Sequence, residues 1–569
     1  MFFSYYWHLN FVQNMDKLSI YVANIAQYIE TDGGTSLAKL WEGIKHLMPD
    51  QPICARVNNK TESLDFVLYQ PKMVEFQTIS QGSGPRVYTR SLCMLLYRAA
   101  QSVVPELHLR FEHSISHGYY CRFSEIDRID EGTVDKIKRE MERLVALNLP
   151  FKRHEIRTVD AASMFEIQGL PDKAELLRTI HEIYTTFYTL DGIADSYYGS
   201  LAPSTGFLKV FNLIPYEQGM LLLPFDMDNP SKPATPIIQQ KMYNAFKEYL
   251  RISDIIGVTD VGQLNSCVIA GSEARLIQVA ETLHDKSIAR ISDDIAERYR
   301  NGGARIVLVA GPSSSGKTTT TKRLAVHLIT NLLKPQMISL DNYFVNRENT
   351  PLDSDGEYDY ESLYALDLKQ FNTDLNAILR GEEVELPYYN FELGCRQYRG
   401  DKIKLEEGSV LLIEGIHGLN PELTAEIPEM AKYRIYVSCL TTLSIDEHNW
   451  VPTTDNRLLR RIVRDYKYRG VNAEETIRRW PSVRRGEEKW IFPYQENADA
   501  VFNSSLIFEL SVMKDEGEHV LRSVPSDVPE YAEAYRLRKF LSYFLPIESK
   551  FVPSTSLLRE FLGGSSFKY

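Results

Sequence analysis

The chain has 569 residues, of which 64 are Lys or Arg and 76 are Asp or Glu, so its formal net charge is −12. This acidic balance excludes a protein whose whole surface is built to bind nucleic acid or an anionic membrane. With 44% hydrophobic and 25% charged residues, the composition is typical of a soluble globular protein. The length predicts about three or four domains.

The cysteines and the N-terminus bear on the cellular compartment. None of the six cysteines forms a C-x-x-C pair, so we expect reduced thiols in a cytoplasmic protein. Residues 1–17 are interpreted as an N-terminal extension, because they lack the basic and aliphatic regions of a signal peptide and a second Met stands at position 15. Since no segment is apolar over about 18 residues, we expect no membrane span.

The first half of the chain predicts two α+β domains and a connector. Short apolar runs over 53–57 and 64–68, with a helical stretch over 37–47, predict a β-grasp domain at 18–106. Apolar residues at helical spacing over 134–147 indicate a second α+β domain at 107–235. A mostly helical connector over 236–303 ends at a Gly-Gly pair, which is typical of a boundary.

Beyond residue 303 the pattern changes to strand, turn and helix, repeated. The runs over 305–310 and 409–413 are continuously apolar, as in strands that are buried on both faces of a parallel sheet. Helical patterns lie between these runs, so residues 304–510 predict a doubly wound α/β domain. Residues 511–569 predict a helical tail, with a helix over about 527–545.

A glycine-rich motif directly follows the apolar run over 305–310. It reads Gly311-Pro-Ser-Ser-Ser-Gly316-Lys317-Thr318, a complete G-x-x-x-x-G-K-[ST]. The glycines let the backbone curl so that its N–H groups face phosphates, and the start of the next helix adds positive potential. Lys317 reaches the β and γ oxygens, while the Thr318 hydroxyl ligates magnesium. The motif therefore predicts a P-loop that binds a nucleoside triphosphate, with ATP and Mg²⁺ as cofactors.

Two acidic residues follow predicted strands of the same sheet. Asp341 comes after the run over 336–340, at the carboxyl end where sites in such sheets are built. We interpret it as a base for an attacking hydroxyl or as a holder of a magnesium water, with a turn or cap residue as the structural alternative. Glu414 ends the run over 410–413 and is predicted to complete the metal shell with Thr318.

A segment rich in arginine lies at 455–470. Arg457, Arg460, Arg461 and Arg464 recur at steps of three and four residues, which predicts that much of their charge lies along one helix face. In an acidic protein, this local concentration favours a lid that covers the triphosphate and stabilises charge as the γ-phosphoryl group moves. A merely solvated helix face is the alternative.

In their order along about residues 304–510, these motifs resemble the uridine kinase and phosphoribulokinase family of P-loop kinases. The resemblance also rests on Ser339-Leu-Asp341-Asn-Tyr343, Tyr358-Asp359-Tyr360, Leu386-Pro-Tyr-Tyr389 and Ile413-Glu-Gly-Ile416. It implies transfer of the γ-phosphoryl group of ATP to the 5′-hydroxyl of a nucleoside. By analogy with the family, it also implies a homo-oligomer.

The resemblance implies a role for each candidate site residue. Asp341 and Lys317 would be the catalytic pair. The residues implied to bind ATP are Gly311, Ser313, Ser314, Ser315, Gly316, Lys317, Thr318, Thr319, Arg461 and Arg464. Those implied to bind the substrate are Asp341, Tyr343, Asp359, Tyr389, Arg464 and Arg469, and the magnesium ligands would be Thr318 and Glu414. Two departures, Gly394 for a base-contacting His and Val471 for an Arg, fall on substrate recognition.

The front of the chain resembles the amino-terminal half of threonyl-tRNA synthetases, a TGS module followed by an editing domain. The residues that carry this resemblance are Ala55-Arg-Val-Asn-Asn-Lys, Tyr88-Thr-Arg90-Ser91, Gly118-Tyr-Tyr-Cys-Arg-Phe123 and Asp195-Ser-Tyr197-Tyr-Gly199. Editing domains bind a metal through two His, a Cys and a further His. The corresponding positions are Ser91, Leu95, Tyr197 and Leu201, so the resemblance implies an editing-like domain that lacks its metal ligands.

Three functions stay open from the sequence. A nucleoside kinase is favoured by the ordered set of motifs. An RNA-associated regulatory protein would bind tRNA-like structures through the front half, although no basic stripe supports tRNA binding. A sugar-phosphate kinase of the phosphoribulokinase type would need extra basic residues in the substrate pocket.

Overall fold

The computed structural model describes residues 17–568. The predicted N-terminal extension therefore lies, except for Lys17, outside the described residues. Between residues 17 and 568, no helix is long and apolar enough to cross a membrane. The six cysteines all lie in this range and are free thiols.

A mixed sheet with one helix across it forms the front of the molecule. Its elements are β1 (Lys17–Val22), β2 (Gln27–Asp32), β3 (Thr35–Ser36), α1 (Leu37–Ile44), β4 (Cys54–Val57), β5 (Lys60–Glu62), β6 (Val67–Leu68) and β7 (Met73–Gln77). The sheet order is β2-β1-β7-β4-β5, with β1 and β7 parallel and the other neighbours antiparallel. This is the mixed α+β arrangement predicted as a β-grasp, although the run over 64–68 is a strand only at its last two residues.

Helix α1 shows why the front folds in this way. It begins after Ser36, whose side chain accepts a hydrogen bond from the N–H of Lys39 at 3.3 Å. Leu37, Leu40 and Ile44 fall on one face of the helix and are buried against the sheet. One amphipathic helix therefore closes the core of this region.

A second α+β region follows, with its core between two antiparallel sheets and their helices. The helices are α2 (Gly84–Val103), α3 (Glu131–Ala146), α4 (Thr158–Ile167) and α5 (Pro171–Thr179), and the strands are β8 (Leu109–Ile115), β9 (Gly118–Phe123), β10 (Lys152–Arg157), β11 (Tyr184–Leu190), β12 (Ile193–Asp195), β13 (Asn212–Tyr216) and β14 (Gly219–Leu223). The sheet orders are β13-β14-β9-β8 and β10-β11-β12. Helix α2 is buried on nearly every side and packs within this core.

The helical connector packs against the region that follows it. Its helices are α6 (Gln240–Ile256), α7 (Val261–Ile269) and α8 (Glu273–Arg300). Buried residues of α8, among them Ile277, Ile288 and Ile295, share one apolar core with residues of the central parallel sheet such as Val307 and Leu412. The connector is therefore part of the same apolar core as the parallel sheet.

The last region is a five-stranded parallel sheet with helices and small hairpins around it. The strands of this region, including those of the hairpins, are β15 (Ile306–Ala310), β16 (Lys334–Ser339), β17 (Val384–Asn390), β18 (Cys395–Ile403), β19 (Ser409–Glu414), β20 (Lys432–Ser438), β21 (Ser444–Asp446), β22 (Asn449–Trp450) and β23 (Ala500–Asn503). Its helices are α9 (Lys317–Thr330), α10 (Leu368–Leu379), α11 (Thr453–Tyr468), α12 (Ala473–Trp490), α13 (Glu509–Arg522), α14 (Tyr531–Leu541) and α15 (Arg559–Leu562). The order β16-β19-β15-β20-β23, with every pair parallel, confirms the predicted fold class.

The central strands of this sheet position the candidate site. Strand β15 is buried along its whole length, and β19 is buried as far as Ile413, because apolar residues occupy both faces of each strand. Strands β15, β19 and β16 run parallel, so their carboxyl ends lie at one edge of the sheet. Gly311, Glu414 and Asp341 follow at that edge.

A buried ionic network joins the second α+β region to the last region. Lys173 of α5 lies 2.7 Å from Asp446 of β21 and 2.9 Å from Asp195 of β12, and each of the three side chains is at most 3% exposed. The Nδ1 atom of His448 lies 2.9 Å from Asp195. Burial alone would raise the pKa of Asp195, but Lys173 and His448 hold that pKa below its usual value. The network therefore contributes to the docking of these two regions.

Replacement of Lys173 tests this docking. We expect Lys173→Met to lower the free energy of the first unfolding transition in urea by about 3–5 kcal/mol, because it leaves two carboxylates buried without their cation. The double variant Lys173→Met with Asp446→Asn should lose less than the sum of the single losses. Arg143→Gln, which removes an exposed pair with Glu140, is the control and should leave the free energy of unfolding almost unchanged. If Lys173→Met lowered the free energy of unfolding as little as the control Arg143→Gln, a structural role for the network would be contradicted.

Candidate active site at the carboxyl edge of the parallel sheet

The predicted phosphate-binding loop connects β15 to α9. Gly316 has a φ of +84°, in the left-handed region, and a Cβ at Gly311 would clash with the carbonyl of Val437. The hydroxyls of Ser314 and Ser315 are buried and have no hydrogen-bond partner among residues 17–568. Both glycines are thus required by local geometry, and the loop has unused hydrogen-bonding groups at the start of α9.

Lys317 is the first residue of α9. Its Nζ donates to the carbonyl of Pro312 at 3.1 Å, so the side chain folds back along the loop. Burial lowers the pKa of Lys317, and the carboxylates of Glu414 and Asp341 oppose that shift. A cation in this position can neutralise phosphate oxygens bound by the loop.

Thr318 and Glu414 lie side by side at this edge of the sheet. The hydroxyl of Thr318 lies 3.1 Å from each carboxylate oxygen of Glu414. Burial raises the pKa of Glu414 to about 7; Lys317 opposes this shift and Asp341 adds to it. These residues fit Mg²⁺, because a hydroxyl and a carboxylate oxygen adjoin and a divalent cation would stabilise the ionised carboxylate that burial disfavours.

Asp341 lies in a single 3₁₀ turn, Leu340–Tyr343, directly after β16. Its side chain is open to solvent at the edge of the sheet. Desolvation by the surrounding protein nevertheless raises its pKa, while Lys317, Arg469 and Arg464 oppose the shift. Asp341 is therefore an accessible carboxylate among cations, as a general base requires.

The arginine helix α11 differs from its prediction. Arg457 and Arg460 are at most 1% exposed and form ion pairs with Glu487 of α12 and Glu509 of α13. They also donate to carbonyls of the loop: Arg457 Nε to Ser313 at 3.0 Å, and Arg460 Nη1 to Ser314 at 3.4 Å. The expectation that all four arginines belong to a lid over the triphosphate is wrong for these two, because they support the loop from within the core.

The remaining arginines surround one buried carboxylate. Arg461, Arg464 and Arg469 lie 3.3, 2.9 and 3.5 Å from Asp465, which is 4% exposed. Arg461 Nη1 also donates to the hydroxyl of Ser313 at 2.9 Å. Three cations share one anion here, so this cluster has net positive charge beside the loop and suits the phosphates of a nucleotide.

The predicted substrate residues Asp359, Tyr389 and Tyr343 differ in burial and in their hydrogen-bond partners. Asp359 is partly buried, and burial raises its pKa. Tyr389 is 2% exposed, and its hydroxyl has no partner among the described residues. Tyr343 is buried in the apolar core, where it packs on Phe371 and donates to Asp374 at 3.1 Å. These contacts do not support the predicted place of Tyr343 in a substrate pocket.

Four rings close to these residues form an aromatic cluster: Phe344, Tyr360, Tyr389 and Phe391. Ring centroids lie 5.6 Å apart for Phe344 and Tyr389, and 5.0 Å apart for Tyr389 and Phe391. Phe391 is 56% exposed, so the cluster reaches the surface. Gly394, where the family resemblance implies a His, has a φ of +66° and packs under the side chain of Arg347.

Sequence reasoning missed three acidic residues at this site. Glu487 accepts a hydrogen bond from the N–H of Ser313 at 3.2 Å and also pairs with Arg457. The density of charged residues in α12 could have suggested a role for this helix at the site. Burial raises the pKa of Glu361 to about 7, and its charge interacts with Arg461 and Lys317. Glu560 comes from the C-terminal tail, and no local motif marks it.

The C-terminal tail contacts the phosphate-binding loop. A carboxylate oxygen of Glu560, in α15, accepts hydrogen bonds from the N–H of Thr319 at 3.3 Å and from its hydroxyl at 2.6 Å. Leu557 packs directly over Gly316. An anionic group of the chain itself thus lies at the N-terminal turn of α9, where a nucleotide phosphate would bind.

The side chains at the four positions that correspond to editing metal ligands are all buried and carry no charge. The Ser91 hydroxyl donates to the Val87 carbonyl at 2.7 Å, and Tyr197 donates to Asp195 at 2.6 Å. Leu95 and Leu201 are at most 1% exposed and lie in the apolar core. Among residues 17–568, no group of three or more His, Cys, Asp or Glu side chains could hold a metal ion.

Comparison with known proteins gives separate matches for the two halves of the chain. A model described as the phosphoribulokinase/uridine kinase family matches residues 306–508. A uridine kinase from Halobacterium salinarum is 28% identical over 195 residues, which cover 34% of this chain and 77% of that protein. A solved structure of a possible uridine kinase from Bacillus stearothermophilus is 17% identical, covers 35% of this chain and 89% of its own, and has a TM-score of 0.24.

The front half matches proteins of another class. A threonine–tRNA ligase from Carboxydothermus hydrogenoformans is 28% identical over 165 residues, 29% of this chain. The match spans only 26% of the ligase, so it concerns a segment of that protein and not its whole activity. Residues 306–508 therefore form a P-loop kinase domain of the phosphoribulokinase/uridine kinase family, preceded by a region that resembles segments of threonyl-tRNA ligases.

Proposed function

We propose that the protein is an ATP-dependent kinase that transfers the γ-phosphoryl group to the 5′-hydroxyl of a nucleoside. One observation carries the proposal: a phosphate-binding loop, an accessible carboxylate and a hydroxyl–carboxylate pair lie at the same edge of one parallel sheet. Lys317, Asp341 and Glu414 interact electrostatically with one another there. This is the set of groups that phosphoryl transfer requires.

The proposed reaction uses each group once. Asp341 accepts the proton of the substrate hydroxyl, whose oxygen forms a bond to the γ-phosphorus while the bond to the β,γ-bridging oxygen breaks and ADP leaves. Lys317, Arg461 and Arg464 neutralise the phosphate oxygens. Thr318 and Glu414 would hold Mg²⁺, which when bound screens the charge of the β- and γ-phosphates. Most of the catalysis would therefore come from positioning and electrostatics.

The aromatic cluster supports a nucleoside as the acceptor. Aromatic faces stack on nucleobases, and Phe391 presents its ring at the surface of the cluster. Asp359, whose carboxylate is partly buried next to Tyr360, would accept hydrogen bonds from ribose hydroxyls. A nucleoside is uncharged, so this pocket would not need a dedicated cation.

Arg347 favours a second candidate, a sugar-phosphate kinase. Its Nη2 donates to the Phe391 carbonyl at 2.5 Å, and it lies in no ion pair with any residue between 17 and 568. An arginine beside Tyr389 without an anion suits a substrate phosphate. A panel of nucleosides and sugar monophosphates with ATP, read by product mass, separates the two candidates. The RNA-associated alternative has only the resemblance of the front half in its favour.

Replacement of Asp341 tests its role as the base. We expect Asp341→Asn to lower kcat by about 10²- to 10⁴-fold with little change in thermal stability, because the variant cannot accept a proton. Asp401→Asn, at an exposed position on β18, is the matched control and should retain wild-type turnover. Turnover within about twofold of wild type in Asp341→Asn would overturn this assignment.

The raised pKa of Asp341 predicts a pH dependence. The base must be ionised, so kcat should rise as the pH increases through the pKa of Asp341 and should be low at pH values below that pKa. We expect the midpoint of this acid limb to lie above the ordinary Asp value of 3.8. The profile of kcat at saturating substrates and Mg²⁺ measures it, and Arg469→Met, which removes a cation that opposes the shift, should move the midpoint higher. A midpoint below 3.8 would contradict the environment described for Asp341.

Glu560 should compete with the nucleotide. We expect Glu560→Gln to lower the KM for ATP by about tenfold, equivalent to the roughly 1.5 kcal/mol that a hydrogen bond to a charged group contributes. Glu548→Gln in the same tail, where Glu548 pairs with Lys550 at the surface, should leave the KM unchanged. An increased KM in Glu560→Gln would mean that Glu560 helps to build the nucleotide pocket instead of occupying part of it.

A further inference from the structure

We propose that a cavity between the editing-like region and the kinase region binds a small organic carboxylate with an apolar, aromatic body. The cavity has a volume of about 310 Å³ and lies away from the phosphate-binding loop residues described above. The residues of its wall that carry the argument are Arg90, Tyr119, Tyr198, His448 and Trp450. Tyr197, at one of the positions of the lost editing metal ligands, also lines the cavity, so the described residues offer no metal-dependent role there, and the proposed P-loop chemistry uses none of the wall residues.

The cation of the cavity is Arg90, on helix α2. Its Nε and Nη2 atoms donate to the carbonyl of Ser200 at 3.3 and 3.0 Å, and the guanidinium packs flat against Gly199. No carboxylate between residues 17 and 568 lies within ion-pair distance of Arg90. By contrast, Arg86, one turn earlier, pairs with Glu533 at 3.0 Å. Arg90 is thus a desolvated cation whose charge the protein leaves uncompensated.

The electrostatics of Arg90 agree with this description. Burial lowers its pKa to about 10, and no carboxylate is among the groups that oppose the shift. The other charged side chains of the cavity wall are already neutralised, since Arg86 pairs with Glu533 and Asp455 pairs with Arg536 at 2.6 Å. One negative charge on a ligand would therefore neutralise the net charge of the cavity wall.

His448 supplies an independent observation. It is 1% exposed, and its Nδ1 is bonded to Asp195 at 2.9 Å. Its Nε2 is buried and has no hydrogen-bond partner among the described residues. An orphaned imidazole nitrogen in the wall of a cavity points to a missing ligand atom. With Nδ1 donating to Asp195, Nε2 carries a hydrogen only in the imidazolium form, which burial opposes and which Asp195 favours by raising the pKa of His448. The charge of that imidazolium is balanced by Asp195, and its Nε2–H and the guanidinium of Arg90 are both donors for a carboxylate in the wall of the cavity.

The rest of the wall indicates the body of the ligand. The rings of Tyr119 and Trp450 lie 4.5 Å apart, and Tyr198 completes an aromatic lining. A volume of about 310 Å³ is at the lower end for small-molecule pockets, so it suits an acid the size of a substituted benzoate more than a nucleotide. A phosphate dianion would bring a second negative charge for which the wall has no free cation.

Titration with simple aromatic acids tests the proposal on the full chain. We would measure binding of benzoate, phenylacetate and 3-phenylpropionate by calorimetry and by thermal shift, each against its neutral amide. We expect at least one acid to bind with a stoichiometry of one and a Kd below about 1 mM, and its amide to bind at least about tenfold more weakly. If no acid binds, or if the amides bind equally well, the proposal is wrong.

Variants of helix α2 locate the binding. We expect Arg90→Met to weaken acid binding by about tenfold or more. Arg98→Met, which removes a cation paired with Asp191 two turns further along the same helix, should leave binding unchanged. If acid binding survives Arg90→Met undiminished, the cavity is not the site. If Arg90→Met does not fold, the comparison of acid and amide on the unmodified protein decides, with Arg90→Lys, which keeps the charge, as the second variant.

Discussion

The candidate active site depends on two buried guanidinium–carboxylate pairs. Arg457 pairs with Glu487 and Arg460 with Glu509, and both arginines donate to carbonyls of the phosphate-binding loop. A loop whose N–H groups must face phosphates turns its carbonyls the other way, and those carbonyls need donors. Because these donors are charged and buried, removal of either partner would leave an uncompensated charge in the core. The loop geometry is therefore maintained by helices that follow it by more than a hundred residues.

Separate apolar and ionic contacts join the other regions of the chain to the parallel sheet. Helix α8 and the C-terminal helices share an apolar core with the parallel sheet, and the tail reaches the loop through Leu557 and Glu560. On the other side, Lys173 joins the editing-like region to the β21–β22 hairpin. The cavity beside Arg90 lies in this junction and borders Asp455, in the first turn of α11, the helix that supports the loop. The front half is thus connected to the site by side-chain contacts.

Much of the site was predictable because its chemistry is local in sequence. A glycine-rich turn between a strand and a helix determines its own backbone shape, so the places of Gly311, Gly316 and Lys317 follow from eight consecutive residues. Asp341 and Glu414 each end an apolar strand, and parallel strands bring their carboxyl ends to one edge. The arginine helix was harder, since the three- and four-residue steps describe one face but not what covers that face. The carboxylates that bury Arg457 and Arg460 come from distant helices.

By itself, the sequence determined the class of each region, the phosphate-binding loop and the strand-end acids, because strand and helix periodicity and turn chemistry act over a few residues. Only the tertiary structure decided which charges are compensated. Tyr343 has a place in the motif but lies in the core with Asp374, whereas Glu560 has no motif and lies on Thr319. Arg90 looks like any other arginine in its helix, but the fold places no carboxylate of residues 17–568 within ion-pair distance of it. Charge compensation depends on contacts between residues that are far apart in the chain, and no local pattern encodes those contacts.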